Sequence, residues 1–272
     1  MTRISEMFRR LKERNERALI PYLTAGDPAP GRTIELMLAL EKGGANLIEL
    51  GVPFSDPIAD GPVIQKASDR ALKAGTTFPR VLDILREFRT RSELPVILFS
   101  YLNPILRYGF ERFAAAAAQV GADGALLTDL NVEEAEPYRA EMRRHNLDTI
   151  FLVTQTTPGE RLQAIARQSS GFVYLVSRAG VTGESSALSD NVLPLIERAR
   201  KATSLPLAVG FGLSRPEHLA AIAPHAEAAI VGSAFMRLIE QRQNAPDLAQ
   251  QLSAFAAHLK SGFAAAAADS PE

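Results

Sequence analysis

The sequence predicts a single (β/α)8 TIM barrel, an α/β fold, with an extra N-terminal helix and additional helices outside the eightfold repeat. Eight short apolar segments alternate with helical segments, and no linker or change of composition separates a second domain within residues 1–272. Each predicted strand is continuously apolar, as expected of parallel strands covered on both faces. This pattern fits a closed barrel or an open doubly wound sheet, and eight units in 272 residues favour the barrel.

The first half of the chain begins with an amphipathic helix at residues 3–15, which could plug the lower end of the barrel. The strands predicted after it cover residues 18–25, 47–52, 95–101 and 124–128. The helices predicted in the same half cover residues 33–41, 63–74, 79–90, 110–120 and 132–145.

The second half continues the alternation. Its predicted strands cover residues 149–154, 172–177, 205–210 and 228–231. Its predicted helices cover residues 158–168, 192–202 and 216–223, a segment starting at Ala234, and residues 247–260. Residues after about 262, an alanine run followed by a polar end, are predicted to form a frayed tail.

Composition narrows the classes of function. With 30 basic and 31 acidic residues, the formal net charge of -1 gives no electrostatic reason to expect nucleic acid or an acidic membrane as partner. The chain has no cysteine, so neither a disulfide framework nor a cysteine-based metal site is expected. The N-terminus lacks a signal-peptide core, which suggests a cytoplasmic protein. Four histidines show no metal-ligand spacing and are predicted to be solvated: His145, His218, His225 and His258.

A carboxylate interrupts the second predicted strand. Glu49 lies among apolar neighbours, with Ile48 and Leu50 on either side. A buried ionised glutamate is costly unless it is paired, hydrated or protonated, so its presence needs a reason. A structural ion pair is one reading. The position at the end of a central strand, directly before a stiff acidic loop, favours catalysis.

The loop after this strand carries Asp56 and Asp60 between three prolines, with Gly51 and Gly61 expected to permit sharp turns. Either aspartate alone could be a turn former or a helix cap. Two carboxyl groups on opposite sides of one cleft can, however, act as a general acid/base and a charge stabiliser.

Glycine-containing turns follow the last three predicted strands. Gly210 and Gly212 follow the seventh strand, Gly232 and Ser233 follow the eighth, and a longer loop at residues 177–183 follows the sixth. Any one of these glycines could be an ordinary turn residue. Three such turns in consecutive units favour a phosphate site, because a barrel binds phosphate after its last strands and at helix N-termini. The ligand is predicted to be a phosphorylated small molecule.

The unbroken segment 49–65 resembles the signature of the tryptophan synthase α subunit family. Similarity continues at residues 21–28, 101–104, 178–183, 210–212 and 232–234. The resemblance implies a (β/α)8 barrel that acts as a lyase. Its reaction is the retro-aldol cleavage of indole-3-glycerol phosphate to indole and glyceraldehyde 3-phosphate.

The resemblance also assigns roles to individual residues. Glu49 matches the general acid/base, and Asp60 matches the second carboxylate, which accepts the indole N–H and stabilises positive charge on the ring. Thr182 matches the threonine that contacts this second carboxylate. The residues that match the phosphate site are Gly183, Phe211, Gly212, Gly232 and Ser233. Those that match the indole and glycerol pocket are Tyr22, Tyr101 and Tyr174.

The resemblance further implies a partner. Family members associate as an α2β2 heterotetramer with a β subunit that carries pyridoxal phosphate, while the α subunit itself needs no cofactor or metal. A free-standing lyase, a chemically inactive allosteric barrel and, least favoured, another phosphosugar barrel enzyme remain alternatives. Asn131 and Gln155 stand where the family commonly has proline, and the loss of a restricted φ predicts a less stiff loop at Asn131.

Overall fold

A computed structural model of the chain describes residues 1–176, 192–210 and 212–268. In this part of the chain, nine parallel strands form one sheet in the order β5-β4-β3-β2-β1-β9-β8-β7-β6. The strands are β1 (Ala18–Thr24), β2 (Ile48–Gly51), β3 (Val96–Ser100), β4 (Gly124–Leu127), β5 (Asp148–Ile150), β6 (Leu152–Thr154), β7 (Val173–Val176), β8 (Leu207–Gly210) and β9 (Ala228–Val231).

The predicted eight-stranded barrel is confirmed, with its fifth strand divided in two. Only Phe151 separates β5 from β6. β5 pairs with β4 on one side, whereas β6 pairs with β7 on the other. The two ends of the sheet therefore meet at this single residue, and one predicted strand closes the ring.

Helices surround this ring. Over the described ranges they are α1 (Arg3–Glu13), α2 (Thr33–Lys42), α3 (Pro62–Lys73), α4 (Phe78–Arg89), α5 (Leu102–Tyr108), α6 (Phe110–Gln119), α7 (Glu136–Arg144), α8 (Gly159–Gln168), α9 (Val192–Ala202), α10 (Pro216–Ile222), α11 (Ser233–Arg242) and α12 (Leu248–Ala268). None of these is long and apolar enough to cross a membrane.

Three helical segments differ from the prediction. α5 was not predicted, because proline at position 104 suggests a turn. Pro104 instead lies in the first turn of α5, where a helix tolerates proline. The helix predicted at 132–145 is a 3-10 turn at Val132–Glu134 followed by α7, which has Pro137 in its first turn. The tail predicted to fray after about residue 262 continues α12 as far as Ala268, as suits an alanine run, and residues 269–272 lie outside the described residues.

The N-terminal helix plugs the amino-terminal end of the barrel, as predicted. Its apolar face, including Ile4 and Phe8, joins the cluster of side chains inside the ring. The ring centroids of Phe8 and Phe172 of β7 are 6.1 Å apart. Thr2 Oγ1 donates to Asp148 Oδ2 at 2.7 Å, and Arg3 Nη1 donates to Asp123 Oδ1 at 3.0 Å. Polar contacts therefore tie the start of α1 to the lower ends of β4 and β5.

The histidine prediction is wrong at one position. His218 is buried at the start of α10, where its Nδ1 accepts a hydrogen bond from Ser214 N at 3.2 Å. The hydrogen bond satisfies this ring nitrogen, so the histidine can be buried. The absence of metal-ligand spacing in the sequence says nothing about such a bond.

Candidate active site

Glu49 lies inside the barrel near the carboxyl ends of the strands. It is paired in register with Tyr22 of β1 and Ile97 of β3, and only 1% of its surface is exposed. Its Oε1 is buried without a hydrogen-bond partner among the described residues. Burial raises the pKa of the Glu49 carboxyl to about 8. Among the described residues Glu49 therefore has no structural ion pair.

Asp60 reaches the same mouth from the loop between β2 and α3. Tyr101 Oη donates to Asp60 Oδ2 at 3.0 Å, and Ala59 N donates to Tyr101 Oη at 3.0 Å. Burial raises the pKa of Asp60 to about 6, and the hydrogen bond from Tyr101 offsets part of that rise. Asp56 behaves differently, because it is exposed and accepts from Ser55 Oγ. The loop therefore presents one of its two aspartates to the barrel.

Two tyrosine side chains extend over the neighbouring strand, and each has room there only because that strand carries a glycine beneath the ring. A Cβ at Gly51 of β2 would lie 2.5 Å from Cζ of Tyr22 and closer still to its Oη. A Cβ at Gly210 of β8 would lie 2.6 Å from Cε1 of Tyr174. Gly51 lies in β2, so the turn predicted for it is wrong, and the glycine serves this close approach instead.

Aromatic side chains complete the wall of the pocket. The ring of Phe99 meets Tyr22 edge-on, with centroids 5.3 Å apart, and Phe54 lies 5.2 Å from Tyr101. Sequence reasoning missed Phe54, Phe99 and Thr24. Phe99 and Thr24 each lie two residues from a predicted pocket tyrosine on the same predicted strand, and this period of two could have identified them.

The pocket keeps its tyrosines protonated. Burial raises the pKa of Tyr22 and of Tyr174 above the ordinary tyrosine value. Nearby Glu49 and Asp60 contribute further to both rises, because negative charge disfavours a phenolate. Both hydroxyls are therefore hydrogen-bond donors at physiological pH.

The described part of the predicted phosphate site lies at the same end of the barrel. Gly212 follows β8 with φ at +84°, where glycine is favoured. Gly232 follows β9, and α11 begins at Ser233, so the unpaired first-turn amides of this helix lie at the barrel mouth. A Cβ at Gly232 would be 3.5 Å from Cβ of Tyr22, which places this turn beside the pocket wall. Thr182, Gly183 and Phe211 lie outside the described residues.

The two positions that depart from the family pattern have side-chain or backbone contacts of their own. Asn131 has φ −70° and ψ 139°, within the range of proline, and its Oδ1 accepts from Arg161 Nη2 at 2.9 Å. This bond joins the loop to α8, and the lower stiffness expected of the loop stays a prediction. Gln155 O accepts from Arg198 Nη1 at 3.0 Å, while its Nε2 is buried without a partner among the described residues.

Comparison with known proteins identifies the family. The family model described as tryptophan synthase alpha chain matches residues 8–266. The chain belongs to this family. It is a lyase of tryptophan biosynthesis that cleaves indole-3-glycerol phosphate, as the sequence resemblance implied.

Individual relatives agree over nearly the full length. The chain is 59% identical over 267 residues to the tryptophan synthase alpha chain of Solibacter usitatus, covering 98% of this chain and 100% of the relative. It is 42% identical to that of Arabidopsis thaliana over 261 residues, covering 96% of this chain and 95% of the relative.

Solved structures show the same architecture. Tryptophan synthase subunit alpha of Legionella pneumophila superposes with a TM-score of 0.90 at 38% identity, covering 97% of this chain and 99% of that chain. A chain from the tryptophan synthase complex of Pyrococcus furiosus gives a TM-score of 0.83 at 39% identity, covering 90% of this chain and 98% of that chain.

Proposed function

We propose that Glu49 and Asp60 are the two catalytic carboxyl groups of the cleavage, and that the chain works as the α subunit of a tryptophan synthase complex. The observation that carries the proposal is the buried Glu49 carboxyl, whose Oε1 has no hydrogen-bond partner in the described residues and whose pKa is about 8. A carboxyl group with this pKa can both give and take a proton near neutral pH.

Glu49 and Asp60 divide the chemistry. Indole C3 gains a proton, and the hydroxyl on the adjacent carbon of the glycerol chain then loses one as the carbon–carbon bond breaks. Glu49, held on a rigid strand, performs these proton transfers. Asp60 accepts the indole N–H and, when ionised, stabilises the positive charge of the protonated ring. Tyr101 supports Asp60 in this role through its hydrogen bond.

The remaining predicted residues hold the two ends of the substrate. Tyr22 and Tyr174 line the indole and glycerol pocket, together with the aromatic rings beside them. The turns at Gly212 and at Gly232–Ser233 bind the phosphate, supported by the amino end of α11. Thr182, Gly183 and Phe211 lie outside the described residues, and the resemblance alone assigns Gly183 and Phe211 to the phosphate site and Thr182 to Asp60.

The partner is a β subunit that docks over the mouth of the barrel. Three large apolar side chains are conspicuously exposed there: Ile58 at 87%, Leu106 at 57% and Leu193 at 39%. Each follows the carboxyl end of a strand, in the loop after β2, in α5 and at the start of α9. Exposed apolar side chains grouped at one end of a protein are typical of an interface. Pyridoxal phosphate belongs to the β subunit, this chain needs no cofactor of its own, and the complex is a cytoplasmic α2β2 heterotetramer.

An assay of indole release from indole-3-glycerol phosphate, with and without purified β subunit, tests this assignment. We expect turnover by the chain alone and faster turnover with β subunit. Leu106→Asp should weaken the stimulation, because it places a charge in the apolar rim. Lys12→Asp, which places the same charge on exposed α1 at the opposite end, should leave it unchanged.

Two other outcomes would identify the alternatives. Fast solitary turnover without association with the β subunit would indicate a free-standing lyase. Association without any cleavage of indole-3-glycerol phosphate would indicate a chemically inactive allosteric partner.

A further inference from the structure

The hydroxyl of Tyr22 lies next to the catalytic carboxyl on the inner face of the barrel. Tyr22 and Glu49 are paired in register on adjacent parallel strands, so their side chains point to the same side of the sheet. The Tyr22 ring extends further toward the carboxyl end and places its Oη over Gly51, two residues after Glu49. Residues two apart on a strand share a face. The hydroxyl therefore lies one step above the Glu49 carboxyl, on the side from which substrate enters.

The hydrogen bonds around this hydroxyl leave one position open. Tyr22 Oη accepts a hydrogen bond from Thr24 Oγ1 at 3.2 Å. Among the described residues nothing accepts the proton of Tyr22, and nothing bonds to Oε1 of Glu49. An open donor and an open acceptor thus lie one step apart on the same inner face of the barrel. A hydroxyl group fits both, because its oxygen accepts one hydrogen bond while its proton is donated in another.

We propose that Tyr22 is a third catalytic residue, whose O–H donates to the substrate oxygen that loses its proton to Glu49. This inference rests on the proposed function. In the cleavage step the carbon–carbon bond to indole C3 breaks, and its electron pair returns to the protonated ring, which becomes neutral indole. The hydroxyl proton passes to the Glu49 carboxylate, and the oxygen forms the new carbonyl of glyceraldehyde 3-phosphate.

Tyr22 keeps its own proton throughout this step. Its hydrogen bond strengthens as negative charge builds on the oxygen and weakens once the carbonyl has formed. A donor aimed at developing charge lowers the barrier more than it improves ground-state binding.

Thr24 is a positioning residue for Tyr22. Its hydroxyl is fully buried and donates to Tyr22 Oη, which orients the phenol O–H away from Thr24 and toward the pocket. A hydroxyl that accepts a hydrogen bond also becomes a stronger donor, because hydrogen bonds in a chain polarise one another. Edge-on packing against Phe99 involves only the ring of Tyr22. Packing therefore does not account for the hydrogen-bonded hydroxyl groups of Tyr22 and Thr24.

Steady-state kinetics of the full chain with indole-3-glycerol phosphate test the proposal, using Tyr22→Phe. We expect kcat to fall about tenfold or more with KM changed less than about twofold, as for an interaction made mainly in the transition state. Tyr138→Phe is the matched control. It removes another buried tyrosine hydroxyl, which donates to Ala125 O in the outer core, and should lower the melting temperature without changing kcat.

Thr24→Val provides the second arm. It should lower kcat about threefold in the wild-type background and have no effect in the Tyr22→Phe background, since Thr24 acts through the Tyr22 hydroxyl. A kcat for Tyr22→Phe within about twofold of wild type would overturn the catalytic role. An equal effect of Thr24→Val in both backgrounds would overturn the positioning role.

Failure of this inference is distinguishable from failure of the proposed function. Wild-type protein that releases no indole would defeat the proposed function, and this inference with it. Active wild-type protein whose Tyr22→Phe variant is equally active would defeat the inference alone.

Discussion

At the residue scale, the site depends on a carboxyl group held where ionisation is costly. Glu49 is mostly protonated in the free protein at physiological pH, since burial raises its pKa to about 8. Asp60, with a pKa of about 6 and a hydrogen bond from Tyr101, is mostly ionised under the same conditions. Two carboxyl groups in one mouth can thus hold different protonation states, one able to give a proton and the other to stabilise positive charge.

The raised pKa of Glu49 predicts a specific dependence of stability on pH. The folded state binds this proton more tightly than the unfolded chain, so stability falls as pH rises from the ordinary value of 4.5 toward about 8. The slope from this group is at most ~1.4 kcal/mol per pH unit. Glu49→Gln mimics the neutral form and should become increasingly stable relative to wild type over this range. Denaturant unfolding of both proteins at pH 5 and pH 8 measures the difference, and a constant difference would contradict the raised pKa.

The hydrogen bond from Tyr101 predicts a shift in the pH profile of activity. Activity should rise with pH through about 6 as Asp60 ionises. Tyr101→Phe removes a bond that favours the carboxylate, so the rise in kcat/KM should move to higher pH. Tyr108→Phe, on α5 and without a described bond to Asp60, is the control. An unmoved profile in Tyr101→Phe would show that another group controls the rise.

At the scale of elements, the pocket depends on lateral register between strands. The pairing of Tyr22 with Glu49 brings a tyrosine of β1 over the end of β2, where only glycine leaves room. The continuous apolar runs and their spacing were sufficient to predict the strands and the plug helix α1. No pattern along a single strand shows which residue of the next strand lies beside it, so the role of Gly51 beneath the Tyr22 ring could not be predicted.

The need for glycine at position 51 can be tested by substitution with alanine, using the nearby Gly61 as the control position. In Gly51→Ala the added methyl group would overlap the Tyr22 phenol, so the ring must move. We expect kcat to fall about tenfold or more and the melting temperature to drop by several degrees, from a strain of about 1–3 kcal/mol. Gly61→Ala adds the same methyl group at the end of the loop that follows β2, but no atom lies within 4 Å of it. Equal behaviour of the two variants would contradict the proposed close approach.

At the scale of the whole molecule, stability and chemistry lie at opposite ends of the barrel. The amino-terminal end is closed by α1, whose contacts include Phe172 and the buried carboxylates Asp123 and Asp148. The carboxyl end holds Glu49, Asp60, the pocket tyrosines and the two glycine turns proposed to bind phosphate. Eight predicted units were enough to assign this polarity, because βα loops gather at one face of a barrel. The closure of the ring between β5 and β6 depends on hydrogen bonding and required the structure.

This separation predicts that a defect at the closed end spares catalysis. Phe8→Ala removes a buried ring that packs against Phe172 and should lower the free energy of unfolding by about 3 kcal/mol. Urea unfolding gives this loss, and kcat measured well below the melting temperature should stay within about twofold of wild type. A large fall in kcat for folded Phe8→Ala would show that the two ends are coupled.

The catalytic role of Glu49 is tested most directly by single-turnover release of indole from indole-3-glycerol phosphate. Asp148→Asn, which alters a buried carboxyl group at the closed end of the barrel, controls for the loss of a buried carboxyl group as such. We predict that Glu49→Gln slows release by about a hundredfold or more while substrate affinity changes little, and that Asp148→Asn releases indole at nearly the wild-type rate. Release by Glu49→Gln at a rate near that of wild type would contradict the assignment of Glu49 as the general acid/base.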